Sequence, residues 1–208
     1  MSDPTVTVVG HGTATTVPDV LRVEFGVECT AAAVADALAE ANTALDALVG
    51  AVVDGGTAPA DVQTGGLSVG PRYGDHGPDG APIVGYTVSH TVTAVLRDLA
   101  TASGILTAAA TAGGDATRIG AVSMAVSDPA PAQAAARDAA YTDAVARARR
   151  YAELAGARLG RAVTISEVGG TPRPAAAAFK AAAIHPGTDE ITASVTVTFE
   201  LVASDPTD

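Results

Sequence analysis

The chain has 208 residues, enough for one sizeable domain or two small ones. It carries 23 Asp and Glu against 12 Lys and Arg, a formal net charge of −11, so its surface repels phosphate backbones and anionic lipids and we expect no nucleic-acid partner. Hydrophobic residues make up 48% of the chain but aromatic residues only 3%, which predicts a core of Val, Ile, Leu and Ala.

Neither a membrane segment nor a disulfide is expected. No apolar run reaches the ~18 residues of a transmembrane helix, so we predict no membrane insertion. The first residues lack a basic leader and an apolar signal region, which predicts a cytoplasmic protein. Cys29 is the single cysteine, and at the end of an apolar strand we expect it to be packed rather than reactive.

The first part of the chain predicts two strands followed by a long amphipathic helix. Alternating apolar and polar residues indicate strands at Thr5–Gly10 and Asp19–Cys29, with a Gly-His-Gly turn at residues 10–12. We expect Thr30 to cap a helix that runs from Ala31 to Asp54. Its apolar stripe should cover a sheet and consists of Val34, Leu38, Ala41, Leu45, Leu48 and Val52.

Strands and helices continue to alternate in the rest of the chain. Asp61–Tyr73 and Val84–Arg97 predict a hairpin around the loop 74–82, and Gly65–Gly66 should bend its first strand. The remaining predicted elements are a weaker helix Ala100–Thr111, a strand Thr117–Val126, a long helix Ala132–Ala155, a strand Arg158–Val168, a Pro/Ala-rich loop 169–190 and a strand Thr192–Val202.

The predicted order is therefore β-β-α-β-β-α-β-α-β-β. Hairpins that alternate with helical crossovers indicate an α+β fold with largely antiparallel sheet, on which the two long Ala-rich helices pack. No segment has the composition of a linker, so we predict a single domain over residues 1–208, with two lobes as the alternative.

Five segments, in this order, resemble the motifs of the SIMPL family, a bacterial family of poorly defined activity. They are VVGHGTATTVPDVLRVEFGVE, VQTGGLSVGPRY, GYTVSHTVTAVLRDL, AELAGARLGRAVTISEVG and IHPGTDEITASVTVTFEL. The resemblance implies a SIMPL-like fold, export to the periplasm for most members, and large ring-like homo-oligomers for some. It also implies a link of some members to oxidative-stress defence or surface immunogenicity. The family has no established catalytic residues, so none is carried over to this chain.

The residues themselves favour no cofactor and no metal. The Gly-His-Gly sequence lacks the third glycine of a dinucleotide loop, because position 15 is Thr. His76 lies beside Asp75 and Asp79 in a loop that could gather metal ligands, although a solvated loop tip is the preferred interpretation. His90 alternates with apolar neighbours, which predicts a cross-strand neighbour or an interface residue.

Six residues are predicted to lie at an interface between copies of the chain. Tyr73 and Tyr86 are scarce aromatics that could serve as anchors, whereas Tyr141 is expected in the core. Arg147 and Arg150 could pair with carboxylates of a neighbouring subunit, and Asp143 should pair with Arg147 within the helix. Phe179 and Ile184 are apolar residues of the Pro/Ala-rich loop and should be buried against some surface.

We therefore predict a non-catalytic, self-assembling structural or scaffolding protein related to stress, forming a ring- or cage-like homo-oligomer. The first alternative is a signalling module that binds a protein or a ligand. The second is a cryptic enzyme whose site lies between subunits.

Overall fold

The computed structural model describes residues 4–75, 80–168 and 187–203. Over these ranges the predicted α+β fold and the predicted order of elements are confirmed. The elements are β1 (Thr5–Thr16), β2 (Val20–Ala31), α1 (Val34–Asp54), β3 (Val62–Tyr73), β4 (Ile83–Leu96), α2 (Ala102–Gly113), β5 (Thr117–Ala125), α3 (Ala130–Leu154), β6 (Ala157–Val168) and β7 (Asp189–Ala203).

The chain divides into two compact units, each with one antiparallel sheet. The central unit spans Asp19–Ala125, and the terminal unit combines Met1–Pro18 with Val126–Asp208. The single domain inferred from the lack of a linker stays a prediction. Among the described helices, none has the length and apolar character that crossing a bilayer requires.

The central unit has the strand order β3-β4-β2-β5, and α1 and α2 cover one face of this sheet. Phe25 of β2 is fully buried at the centre of the core. The predicted stripe of α1 is confirmed in its C-terminal part, where Ala41, Leu45, Leu48 and Val52 are buried. Near the N-terminus of α1, Ala37 is buried in place of the larger Leu38. The backbone of α1 therefore lies close to the sheet there.

The predicted start of α1 is wrong by three residues. Thr30 is not a helix cap, because it pairs with Thr87 and extends β2. Ala31 pairs in turn with Tyr86, and the helix begins at Val34 after Ala33, whose side chain makes no capping bond. The ladder with β4 thus continues past the point at which the local sequence favours a helix.

The terminal unit has the strand order β1-β7-β6, with α3 packed on one face. The turn predicted at residues 10–12 is wrong, because β1 continues through them to Thr16. Gly10 pairs with Val195 and Gly12 pairs with Ala193, so both glycines belong to a regular ladder with β7. They point toward α3, where a side chain could not be accommodated.

The packing of α3 depends on alanines spaced four residues apart. The buried residues of the helix are Ala136, Ala140, Ala144, Ala148 and Ala152. A Cβ atom added to Gly10 would lie 2.1 Å from the carbonyl oxygen of Ala140. Tyr141 was predicted in the core but is 39% exposed, because the stripe lies one residue earlier in the helix than its aromatic residue suggested.

Candidate functional site

No metal site is found in the described ranges, where no three His, Cys, Asp or Glu side chains lie together. His76 and Asp79 fall outside these ranges, so metal binding by that loop stays a hypothesis. The predicted packing of Cys29 is confirmed, since the residue is partly buried against the core of the central unit. Burial, and then the nearby Glu40 carboxylate, raise the pKa of the Cys29 thiol, which disfavours the reactive thiolate.

A histidine–serine pair lies on the outer face of the terminal sheet. The Nδ1 atom of His11 is 3.0 Å from Oγ of Ser194, the residue opposite it on β7. Asp143 is close by, but its Oδ2 atom accepts a hydrogen bond from the backbone N–H of His11 at 2.9 Å, not from the ring. The three residues therefore do not form a catalytic triad, in which the carboxylate must orient the imidazole.

His90 is a cross-strand neighbour, as predicted. It lies between Val27 of β2 and Leu67 of β3 in the central sheet. Its Nδ1 atom is buried and has no hydrogen-bond partner among the described residues. Its neighbours Val88 and Val92 on the same face are both buried in the core. His90 therefore lies between the part of the sheet that the helices cover and the exposed strand β3.

Arg147 and Arg150, the two predicted interface residues of α3, are paired within their own helix. Nε of Arg147 lies 2.9 Å from Oδ2 of Asp143, which confirms the predicted pair. Nη1 of Arg150 lies 3.4 Å from Oε2 of Glu153, and both of these side chains are mostly exposed. Exposed pairs of this kind add little to stability, and they reduce the positive charge that the helix presents to a partner.

A shallow groove lies between α1 and the end of α2. Its lining contains Ala39, Glu40, Thr43, Ala44 and Gly113. Small side chains and a single carboxylate provide few directed groups, whereas ligand sites usually combine apolar walls with several convergent polar groups. The groove therefore gives no indication of a specific ligand.

Large apolar side chains are exposed along the β3–β4 hairpin. On β3, Leu67 is 55% exposed, Val69 44% and Tyr73 62%. Ile83 and Val84 at the start of β4 are more than half exposed as well. Leu67 and Val69 lie beside His90 and Val88, on the face of the sheet that α1 and α2 cover elsewhere. This hairpin is the candidate interaction surface.

The four edges of the two described sheets differ in the features that protect them from pairing with a further strand. On β1, the N–H of His11 is occupied by the Asp143 carboxylate. Strand β6 carries three charged residues, Arg158, Arg161 and Glu167, which discourage pairing with another strand. Strand β3 carries a single charged residue, Arg72, and among the described strands it pairs with β4 alone. Except at Pro71, which has no N–H to donate, the β3 edge is a template for pairing with a further strand.

Comparison with known proteins identifies the family of the chain. The pattern of the SIMPL family, described as a protein of unknown function (DUF541), matches residues 6–199. The chain belongs to the SIMPL family. Proteins named "26 kDa periplasmic immunogenic protein" from Brucella melitensis biotype 1 and Brucella abortus are similar to it. Each is 31% identical over 212 residues, which cover 94% of this chain and 84% of the relative.

The structure explains one SIMPL motif directly. The Gly-x-Gly of the opening segment places two residues without side chains under α3, and the residue between them bonds to that helix through its backbone. The motif is therefore a packing device rather than a loop that binds phosphate. Sequence reasoning excluded the dinucleotide loop but did not detect the contact with α3.

The predicted interface residues are distributed over both units. Tyr73 and Tyr86 lie on the β3–β4 hairpin, although Tyr86 is only partly exposed. Arg147 and Arg150 lie on α3 of the terminal unit. Phe179 and Ile184 fall outside the described residues, and their contacts stay predictions. The sequence reasoning missed Leu67 and Val69. The available signal was their alternation with the small residues Gly66, Ser68 and Gly70, which places both side chains on one face of β3.

Proposed function

We propose that this SIMPL-family protein is a non-catalytic structural protein that assembles with copies of itself into a closed, ring- or cage-like oligomer. The main support is the β3–β4 hairpin, where Leu67, Val69 and Tyr73 expose apolar surface on an edge strand. Fully burying one large apolar side chain contributes about 1.5–3 kcal/mol, so covering several of them favours association strongly.

A peptide-binding module is the second candidate, and the same hairpin favours it. An extended peptide could add a strand to β3 and place its side chains against Leu67 and Val69. A self-assembling protein differs from such a module because it needs no partner from outside. The mass of the purified protein therefore separates the two functions.

No observation on the described residues favours an enzyme over these candidates. The His11–Ser194 pair lies on an open strand face, and the Cys29 thiol is held in its less reactive form. A role in stress would on this proposal depend on assembly rather than on thiol chemistry at Cys29.

The compartment is a separate question. The names of both Brucella relatives contain the word periplasmic. These names favour an exported protein. Fractionation of the native cells, with a cytoplasmic and a periplasmic marker enzyme as references, tests this: recovery with the cytoplasmic marker alone would remove the proposed export.

Sedimentation velocity of the purified protein at micromolar concentration tests self-assembly. We expect species of several times the 20.4 kDa chain mass, and Leu67→Lys should shift them toward the single chain. A lysine at this position would bury a charge in the interface, which we expect to weaken association at least about tenfold.

Ile119→Lys is the matched control, because Ile119 is 43% exposed on β5 at the opposite edge of the same sheet. This variant should assemble like the unmodified protein. Circular dichroism of both variants confirms that the fold is kept. A single chain of 20.4 kDa as the only species for the unmodified protein would refute self-assembly.

A further inference from the structure

We infer that two copies of the chain join by pairing their β3 strands edge to edge, antiparallel, across a two-fold axis that passes through Val69. This inference rests on the proposed self-assembly and names the strand and the register of one of its interfaces. A two-fold contact joins two copies, so a ring or cage requires a second interface in addition. The two four-stranded sheets would become one continuous sheet of eight strands.

The part of β3 that can pair begins after its bulge. The register with β4 skips between Thr64 and Leu67. At the skip, Oγ of Thr91 accepts a hydrogen bond from Gly66 N–H at 2.9 Å and lies 3.3 Å from the Gly66 carbonyl, to which it donates. The backbone at the bulge is therefore already bonded within the chain. From Leu67 to Arg72 the register with β4 is continuous. Pro71 has no N–H, so at that position the outer edge offers a carbonyl acceptor but no donor, and Leu67 and Val69 supply the donors for pairing.

An ion pair at the base of the hairpin holds the start of β3 to the end of β4. Just before β3 begins, Asp61 accepts two hydrogen bonds from the Arg97 guanidinium, which follows the end of β4. Both are 2.7 Å long, and a bidentate pair of this kind fixes orientation as well as distance. A preformed edge loses less conformational entropy on pairing than a flexible segment does.

The apolar side chains of β3 are symmetric about Val69, which favours a second copy over a foreign peptide. Leu67 and Pro71 lie two positions before and after Val69, so all three side chains share one face. In an antiparallel pair centred on Val69, Leu67 of each copy faces Pro71 of the other, and the two Val69 side chains meet. Six apolar side chains then form one cluster beside the core.

The single charged residue of β3, Arg72, fits the same register. The two Arg72 residues fall at opposite ends of the ladder, about 20 Å apart along the strands, where their repulsion is weak.

The opposite edge of the sheet is a poorer partner for β3. The ladder of β5 with β2 breaks between Val23 and Phe25. Arg118 of β5 is held by Glu28, with 3.2 Å between Nη2 and Oε1. A strand that pairs along β5 would cross this break and displace or bury this ion pair.

Cysteine cross-linking tests the register. Cys29→Ser removes the native thiol, and Val69→Cys then provides one thiol per chain. Directly opposed residues of an antiparallel pair have Cα atoms about 4.5–5.5 Å apart, within the range of a disulfide. We expect mild oxidation to convert this variant to a covalent dimer.

Two control variants have the same single-cysteine background. Leu67→Cys places the thiols of two copies about four positions apart, roughly 13 Å, which is too far for a disulfide. Ser123→Cys places the thiol on β5 at the other edge. Covalent dimers from Val69→Cys, at least about tenfold faster than from either control, support the inference.

The failure of this inference is distinct from the failure of the proposed function. If the unmodified protein sediments as an oligomer but Val69→Cys cross-links no faster than Ser123→Cys, the β3 pairing is wrong and self-assembly still holds. Faster cross-linking by Leu67→Cys would reject the register. A single 20.4 kDa chain in sedimentation would reject self-assembly itself.

Discussion

Gly10 and Gly12 let α3 lie against its sheet at a distance that no side chain would allow. A Cβ atom at Gly10 would be 2.1 Å from the Ala140 carbonyl oxygen and 2.6 Å from the Ala144 nitrogen. Both of these atoms belong to the helix backbone, which cannot rotate away as a flexible side chain could. The close approach also explains why α3 is lined with alanine on the side that faces the sheet.

The substitution Gly10→Ala should therefore destabilise the protein. We expect the free energy of unfolding to fall by about 1–3 kcal/mol or more, because α3 must shift to accommodate the methyl group. Urea denaturation followed by circular dichroism measures this change. Gly50→Ala is the control, since a Cβ atom at this exposed position of α1 meets nothing within 4 Å. There the free energy of unfolding should rise by up to ~1 kcal/mol, and equal losses in both variants would contradict the steric explanation.

The residues that sequence analysis placed wrongly show what local pattern cannot report. Glycines flanking His11 resemble a turn when read locally, and their use depends on a helix about 130 residues later in the chain. Tyr141 resembles a core residue in a chain with few aromatics, but alanines one position earlier fit the glycines better. In both cases the deciding contact is non-local.

At the scale of elements, the Asp143 carboxylate attaches α3 to the β1 edge of its sheet. Asp143 accepts a hydrogen bond from the His11 N–H of β1 and also pairs with Arg147. The hydrogen bond from the His11 backbone, and then the Arg147 guanidinium, hold the pKa of Asp143 below its ordinary value of 3.8. The same contact occupies an outward N–H of β1, so it also discourages another strand from pairing there.

This attachment predicts a pH dependence of stability. A carboxylate whose pKa is lower in the folded state stabilises that state above the unfolded pKa, and the contribution is lost as the pH falls through the folded pKa. Asp143→Asn keeps an acceptor but cannot titrate. Its free energy of unfolding should be below that of the unmodified protein at neutral pH, and the difference should shrink as the pH falls below about 4.

Urea denaturation at several pH values measures this difference. Asp138→Asn is the control, because Asp138 is exposed on the same helix and its carboxylate forms no ion pair in the described part of the chain. The control should follow the unmodified protein across the whole range. A difference for Asp143→Asn that stays constant down to the lowest pH would show that the charge of Asp143 is not what holds α3.

The order of the elements was predictable because alternation and helical spacing are local signals. The hairpin of β3 and β4, the Gly65–Gly66 bulge and most of the α1 stripe follow from such signals. The exposure of Leu67 and Val69 does not follow from local signals. An alternating strand has the same sequence pattern whether its apolar face is covered or bare, and only the strand order shows that β3 lies at an edge.

At the scale of the whole molecule, the net charge of −11 opposes contact between copies. The apolar residues and the arginines among the predicted interface residues imply opposite effects of this net charge on association. An interface through apolar residues of the β3–β4 hairpin must overcome the repulsion, which salt screens. An interface through Arg147 and Arg150 would instead gain from attraction to carboxylates of the neighbouring copy, which salt weakens.

We therefore predict that association becomes tighter as salt is added. The screening length falls from about 30 Å at 0.01 M ionic strength to about 10 Å at 0.1 M, so most of the change should occur between these values. Sedimentation equilibrium at the two ionic strengths measures it through the dissociation constant. Arg150→Gln should leave the salt dependence unchanged if the hairpin carries the interface. Weaker association with added salt, abolished by Arg150→Gln, would instead place the contact on α3 and remove the hairpin from the interface.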